Sequence, residues 1–296
     1  MPESEARDWV RSERRGRTVL LTIDHPPVNV LSLPVVDRLI ERIEEVSNDA
    51  EARVVVLASA AEKAFAAGAD VREMESLGPA EARVHAARGQ EVTRAIERLP
   101  MPVIAAVHGA CFGGGCEVAL ACDFILASED ARFGQPEINL GVMPGWGGTQ
   151  RLPRRIGATR ARRWILTGEP VPARRAESEG LVDRVVPRTE LLATALALAE
   201  ELAAKPPVAL AAAKYALARA VDPGIEEGLA YELDLWARLF GTAGQKQGMR
   251  AFLAKQPLVP GGRPDWAQES DGFPWGKPAR RPGGGKGDKP AQPKTD

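Results

Sequence analysis

Two hydrophobic periods alternate along the first half of this chain, and that alternation constrains the fold more than any other feature. RTVLLTID (17–24) alternates and is β-rich, and SLPVVDRLIERIEEVSND (32–49) then switches to helical spacing, with Val35, Val36, Leu39, Ile40, Ile43 and Val46 on one face. RVVVLAS (53–59) is a continuous apolar strand, a looser helix enters through Gly78-Pro79 and spans about 79–98, and PVIAAVHG (102–109) is a third strand. CFGGGCEVALAC (111–122) supplies the next helix, and FILAS (124–128) and ARFG (131–134) add two short strands. Strands alternating with helices predict an α/β architecture with largely parallel pairing.

From about 158 the chain becomes mostly helical, with LVDRVV (181–186) as the one strand. Its alanine-rich helices carry one apolar face each, which packs either on the same chain or on a partner subunit. Residues 260–296 hold 15 Gly plus Pro among 37 positions and read as a flexible tail.

Composition closes off several functions. A formal net charge of -1 gives no global attraction to nucleic acid or to acidic membranes. Nothing approaches the roughly 18 uninterrupted apolar residues of a membrane span. The first 17 residues lack the apolar segment of a secretory signal and carry Glu3, Glu5, Asp8 and Glu13, so a cytoplasmic location is expected. Cys111, Cys116 and Cys122 are odd in number, sit in the most apolar stretch and lack the paired spacing of a zinc site. They read as buried small hydrophobes in a reducing compartment, and no metal site is expected.

Three segments carry candidate chemistry. In the first, a strand leads into Gly113-Gly114-Gly115 and a helix opening at Cys116-Glu117, which leaves backbone N–H groups bare at the helix start. Such a turn suits a developing negative oxygen, although tight helix–strand packing accounts for it equally well. The spacing is neither that of a dinucleotide site nor that of a P-loop. AFAAGADVREM (64–74) also follows a strand and offers a second N–H near Ala67-Gly68-Ala69; two such donors meeting would form an oxyanion hole. In the third, Glu137 follows Pro136 in an otherwise apolar run. Glu117 and Glu137, each beside a glycine-rich turn, read as an acid–base pair.

The continuous segment IAAVHGACFGGGCEVALACDFILASEDARFGQPEINLGVMPGWGGTQRLPRRIG, with AFAAGADVREM, VLLTIDHPPVNVLS and LTGEPVPARRAESEGLVDRVVP, resembles the enoyl-CoA hydratase (crotonase) family over about residues 17–255. The resemblance implies a right-handed spiral of β-β-α units with a C-terminal helical region that builds trimers, often paired into hexamers. On that basis the chain divides into a flexible segment 1–16, a spiral core with the acyl-CoA site over 17–195, a helical oligomerisation region over 196–259, and the tail 260–296. Substrates would be acyl-CoA thioesters, with no cofactor beyond the coenzyme A of the substrate itself.

Residue by residue, the resemblance puts the oxyanion donors on the backbone N–H groups of Ala69 and Gly114. It makes Glu117 the base that activates water and Glu137 the acid, with Gly145 and Trp146 positioning water or substrate. Contacts to substrate or CoA fall on Val28, Asn29, Ala67, Asp70, Val71 and Arg72. Both glutamates together favour reversible addition of water to a 2-enoyl-CoA, giving a 3-hydroxyacyl-CoA; a Δ3–Δ2 isomerase would need only Glu137. Two positions depart from the family pattern. Trp146 stands where a small residue is common, either walling the acyl pocket or packing beneath it. MRAFLAKQPLVPGGR leaves only Lys255 and Arg263 near the usual basic end of the last helix. The six arginines of 151–163 read first as a solvated helical surface, then as a steering patch for CoA phosphates, and last as an RNA-binding feature of a non-catalytic scaffold.

Overall fold

The computed structural model describes residues 8–220, 224–258 and 273–275. The chain opens with the hairpin β1 (Val10–Arg15) and β2 (Thr18–Ile23), the short β3 (Val30–Leu31) and the amphipathic α1 (Leu33–Ser47). A repeat then begins with β4 (Val54–Ser59), β5 (Ala64–Ala66), β6 (Gly68–Ala69), α2 (Val71–Met74) and the long α3 (Pro79–Arg98). Its second turn is β7 (Val103–Val107), β8 (Ala110–Phe112) and α4 (Gly114–Leu120). The third comprises β9 (Phe124–Ser128), β10 (Arg132–Gly134), a 3-10 turn over Pro136–Leu140, α5 (Gly148–Ile156) and α6 (Ala158–Thr167). After β11 (Val171–Pro172), α7 (Ala173–Ser178) and β12 (Arg184–Val186), the chain is helical: α8 (Leu191–Ala203), α9 (Pro207–Arg219), α10 (Ile225–Leu239) and α11 (Ala243–Leu253).

Sheet order explains the repeat. β4, β7 and β9 are neighbours in a six-stranded sheet ordered β1-β2-β4-β7-β9-β12, and their successors β5, β8 and β10 are neighbours in a four-stranded sheet ordered β11-β10-β8-β5. Each β-β-α turn therefore advances the chain by one strand in both sheets, which makes a spiral. Pairing is parallel throughout both sheets except for β1 with β2 and β10 with β11. A third, two-stranded sheet pairs β3 with β6 in parallel.

The unbroken apolar strands are apolar because both of their faces are covered. Val55, Leu57, Val103, Ala105 and Val107 join the main core with the α1 residues Val35, Val36, Leu39, Ile40, Ile43 and Val46. The alternate residues Val54, Val56, Ala58, Ile104 and Ala106 meet Leu191, Ala195, Ala199 and Ala203 of α8. Small residues every fourth position let α8 lie close on the sheet. For this helix the apolar face is covered by its own chain, so the packed core extends past residue 195.

Two further expectations are corrected. The segment 1–16 is not uniformly loose: β1 pairs along its whole length with β2, Val10 is fully buried, and Asp24 N donates to Trp9 O at 2.8 Å. Its charged sequence suits an outermost strand, where one residue packs inward and the rest meet water. Within the tail 260–296, Phe273 packs on Val208, Ala212 and Leu235, and the Trp275 ring lies 4.6 Å from Phe273 and 5.1 Å from Tyr215. The rest of that tail lies outside the described residues. No helix among the described residues is long and apolar enough to cross a membrane.

Candidate active site

The spiral brings its first two turns into contact at their β-to-α junctions. Gly68, with φ +106°, and Gly113, with φ +51°, adopt backbone conformations that side chains resist. A methyl group on Gly68 would stand 3.1 Å from Phe112 O, 3.7 Å from Gly114 N and 3.8 Å from Gly113 Cα, so the Gly68-Ala69 and Gly113-Gly114 turns meet backbone to backbone. β6 is held there by its pairing with β3, Leu31 against Ala69, and Ala67 N donates to Val28 O at 3.0 Å. Asp70 caps α2 by accepting from Arg72 N at 2.9 Å. Gly114 opens α4, where position leaves its N–H without an intrahelical acceptor. The sequence-predicted donor positions Ala69 and Gly114 are therefore adjacent in space.

α4 seats firmly because Gly115 has no side chain: a methyl there would be 2.4 Å from Ala66 O on β5. One turn on, Glu117 is 1% exposed, and its Oε1 accepts from Trp146 N at 2.8 Å and Gly148 N at 2.7 Å. Burial pushes its carboxyl up to about 6, while the two N–H groups work in the opposite direction. Glu137 enters from the 3-10 turn after β10, with its Oε1 3.2 Å from where a Gly113 side chain would begin. Burial, with a smaller contribution from the Glu117 charge, pushes Glu137 up to about 7. Two carboxyls with raised and unequal affinities for protons thus flank one pair of bare glycine turns.

Several sequence expectations change at this level. The Asn29 side chain is engaged within the fold. It is fully buried with φ 52°, its amide nitrogen reaches Ile23 O, Ser59 Oγ and Phe65 O, and its oxygen accepts from His25 N at 2.7 Å. It ties the β2, β4 and β5 ends together, and His25 is held beside it through Nδ1 and Val30 O at 2.8 Å. Val28 is half-buried and its carbonyl accepts from Ala67 N, while Val71 and Arg72 stand exposed on α2 beside Ala69, as a surface contact requires. Gly145 is half-buried, and its carbonyl accepts from Gln90 Nε2 at 3.0 Å. The N–H groups that meet Glu117 belong instead to Trp146 and Gly148. Trp146 is 4% exposed, with its ring against Gly89 and Gly114 in the core.

Gln135 was not singled out from sequence. It is fully buried beside Gly148, and with its amide nitrogen turned toward Glu137 it donates to both carboxylate oxygens, at 2.9 and 3.3 Å. An uncharged amide buried between Gly134 and Pro136, two residues before a candidate acid, was the available signal. Within the arginine cluster Arg154, Arg160, Arg162 and Arg163 are exposed; Arg151 pairs with Glu97, Arg155 reaches Cys122 O, Arg160 reaches Glu179 O and Arg163 pairs with Glu169. Lys255 is exposed just past α11, and Arg263 lies outside the described residues. The three cysteines are buried and unpaired, and no cluster among the described residues is arranged to hold a metal ion.

A family model described as enoyl-CoA hydratase/isomerase matches residues 13–263. A short-chain-enoyl-CoA hydratase from Clostridium acetobutylicum is 40% identical over 247 residues, covering 83% of this chain and 95% of that protein. A crotonyl-CoA hydratase from Syntrophomonas wolfei is 38% identical over 245 residues, covering 82% and 94%. Among solved structures, an enoyl-CoA hydratase from Bacillus anthracis superposes with a TM-score of 0.82 at 35% identity, covering 86% of this chain and all of that one.

The raised carboxyls predict a sign for pH-dependent stability. The Glu137 pKa rises from an ordinary 4.5 to about 7 on folding, so its contribution is intact below pH 4.5 and is lost as pH climbs through 7. Glu137→Gln removes that loss. Its stability relative to the native protein should improve by about 1–2 kcal/mol between pH 4.5 and pH 8, an amount reduced for the carboxyl's partial exposure. Urea unfolding across that range measures it, and a difference independent of pH contradicts the assignment.

Proposed function

The chain belongs to the enoyl-CoA hydratase/isomerase family, and from that premise we propose that it is an enoyl-CoA hydratase, adding water reversibly across the 2,3 double bond of a 2-enoyl-CoA. The observation that carries this reading is the pair Glu117 and Glu137, buried to different extents and flanking the joined Gly68-Ala69 and Gly113-Gly114 turns.

In this reading the thioester oxygen sits between the N–H groups of Ala69 and Gly114, which places C2 and C3 between the two carboxyls. Glu117, the more acidic of the pair, is ionised near neutrality and held by Trp146 N–H and Gly148 N–H with its charge toward the site. It takes a proton from water as the water oxygen bonds to C3. The electron pair of the double bond moves into the thioester, and the enolate oxygen that forms is met by the two backbone donors. One such donor is worth about 3–4 kcal/mol in other acyl-transfer sites. Glu137, whose carboxyl keeps its proton to higher pH, delivers it to C2, and Gln135 orients that carboxyl through its amide. The proton gained by Glu117 and the one lost by Glu137 are then exchanged with solvent, and the reverse sequence dehydrates a 3-hydroxyacyl-CoA. Asp70, Val71 and Arg72, at the rim beside Ala69, supply the surface for the CoA moiety, with Ala67 and Val28 shaping its backbone.

The exposed apolar face of the C-terminal helices supports a homo-oligomer, a trimer or a pair of trimers. Leu217, Leu233, Trp236, Phe252 and Leu253 are each more than half exposed there. Sedimentation should give a mass of three or six chains; a monomer at micromolar concentration contradicts this part of the proposal.

Hydration of a short 2-enoyl-CoA, followed by loss of the conjugated thioester absorbance, tests the catalytic proposal. Glu117→Gln and Glu137→Gln should each lower kcat by about 10²–10⁴ with the fold retained. The pH profile of the native enzyme should rise with an apparent pKa near 6 and fall with one near 7, as values of the coupled pair. Native-like rates in either variant remove that glutamate from the mechanism.

A further inference from the structure

We propose that Trp146, seated in a notch cut by Gly89, is the floor of the acyl cavity and limits the substrate to short-chain 2-enoyl thioesters; this inference rests on the acyl-CoA reading of the site. Gly89 lies inside the 20-residue helix α3 with an ordinary helical backbone. Glycine there weakens a helix by about 1 kcal/mol relative to alanine, and no turn or positive φ explains it. The indole does. A methyl group on Gly89 would stand 2.1–2.2 Å from Cδ2, Cε2 and Nε1 of Trp146. On the other side of the ring, a methyl group on Gly114 would stand 2.7 Å from Cζ3. The indole is therefore clamped between α3 and the residue whose N–H faces the thioester oxygen, and it fits only because both positions lack a side chain.

The main chain of Trp146 fixes this placement. Its N–H donates to Glu117 Oε1 at 2.8 Å, and its carbonyl accepts from Thr93 Oγ1 at 3.1 Å and from Arg151 Nη1 at 2.9 Å. The base and the ring thus belong to one rigid unit. A thioester held at Ala69 and Gly114 presents C3 to Glu117, and the chain beyond C3 must pass the carboxylate that Trp146 anchors. On that path it meets the indole together with Ala86, whose Cβ is 3.6 Å from the place of a Gly145 side chain. A ring that fills the space between two helices leaves no depth for further methylenes in that direction.

The test is a ladder of saturated acyl-CoAs, butyryl through decanoyl, titrated calorimetrically. Each methylene that enters an apolar cavity should raise affinity about fourfold, so the native protein should show no gain, or a loss, beyond the shortest members. Trp146→Ala should convert the ladder to one that tightens with length, raising the decanoyl-to-butyryl affinity ratio by roughly tenfold or more, with Trp146→Phe in between. Parallel ladders in the native protein and both variants overturn the proposal. The notch has its own readout. Gly89→Ala should lower the melting temperature in the native background and leave it unchanged or raise it in Trp146→Ala; equal effects in both backgrounds also overturn it. Because the ladder reads binding, a length-dependent response without any hydration would sink the hydratase reading alone.

Discussion

Everything at this site depends on two stretches of backbone touching with no side chains between them. The Gly68-Ala69 and Gly113-Gly114 turns come together because successive β-β-α units are stacked one strand spacing apart, so equivalent junctions become neighbours. A Cβ at Gly68 would crowd Phe112 O, and one at Gly115 would run into Ala66 O. The glycines are therefore required by the spiral's pitch as much as by a ligand. A reading that assigns them to tight packing and one that assigns them to catalysis describe the same contact.

That contact fixes where charge can be placed. Glu117 is carried into the core by α4 and survives there because the chain returns at Trp146–Gly148 to offer it two N–H groups. Burial of an unpaired carboxylate would be far more costly. Glu137 comes from the next unit of the spiral, after β10, where Gly113 N donates to Gly134 O at 3.0 Å and holds the two units in register. Glu117 and Glu137 are thus contributed by consecutive turns of one repeat; burial raises both carboxyls, and the two N–H groups on Glu117 keep its proton affinity below that of Glu137.

Much of the fold was legible because its long elements have clear periods. The face of α1 was read residue for residue, and β4 and β9 stand where the apolar runs placed them. What escaped has a common physical cause. β6 and β11 are two residues long and have no period to detect; only stacking on neighbours makes them strands. β1 looked like a charged leader because an edge strand buries little more than Val10. In the candidate site, the two glutamates could be singled out from their glycine-rich surroundings, and the resemblance supplied the two proposed backbone donors. Asn29 could not be told from a ligand contact, since the acceptors of its amide nitrogen lie 6 to 36 residues away. The same holds for Gly89, whose reason for being glycine is an indole 57 positions later that only the packed helices reveal.

The central claim is that one water molecule is divided across a double bond, its oxygen directed by Glu117 and a proton delivered by Glu137. Reaction of crotonyl-CoA in ¹⁸O-labelled heavy water, followed by mass spectrometry of the product, tests this most directly. The account predicts ¹⁸O at C3 and one deuterium at C2 in the same 3-hydroxybutyryl-CoA molecule. Migration of the double bond to C3=C4, with a hydrogen lost from C4, deuterium gained at C2 and no ¹⁸O in the product, would contradict it.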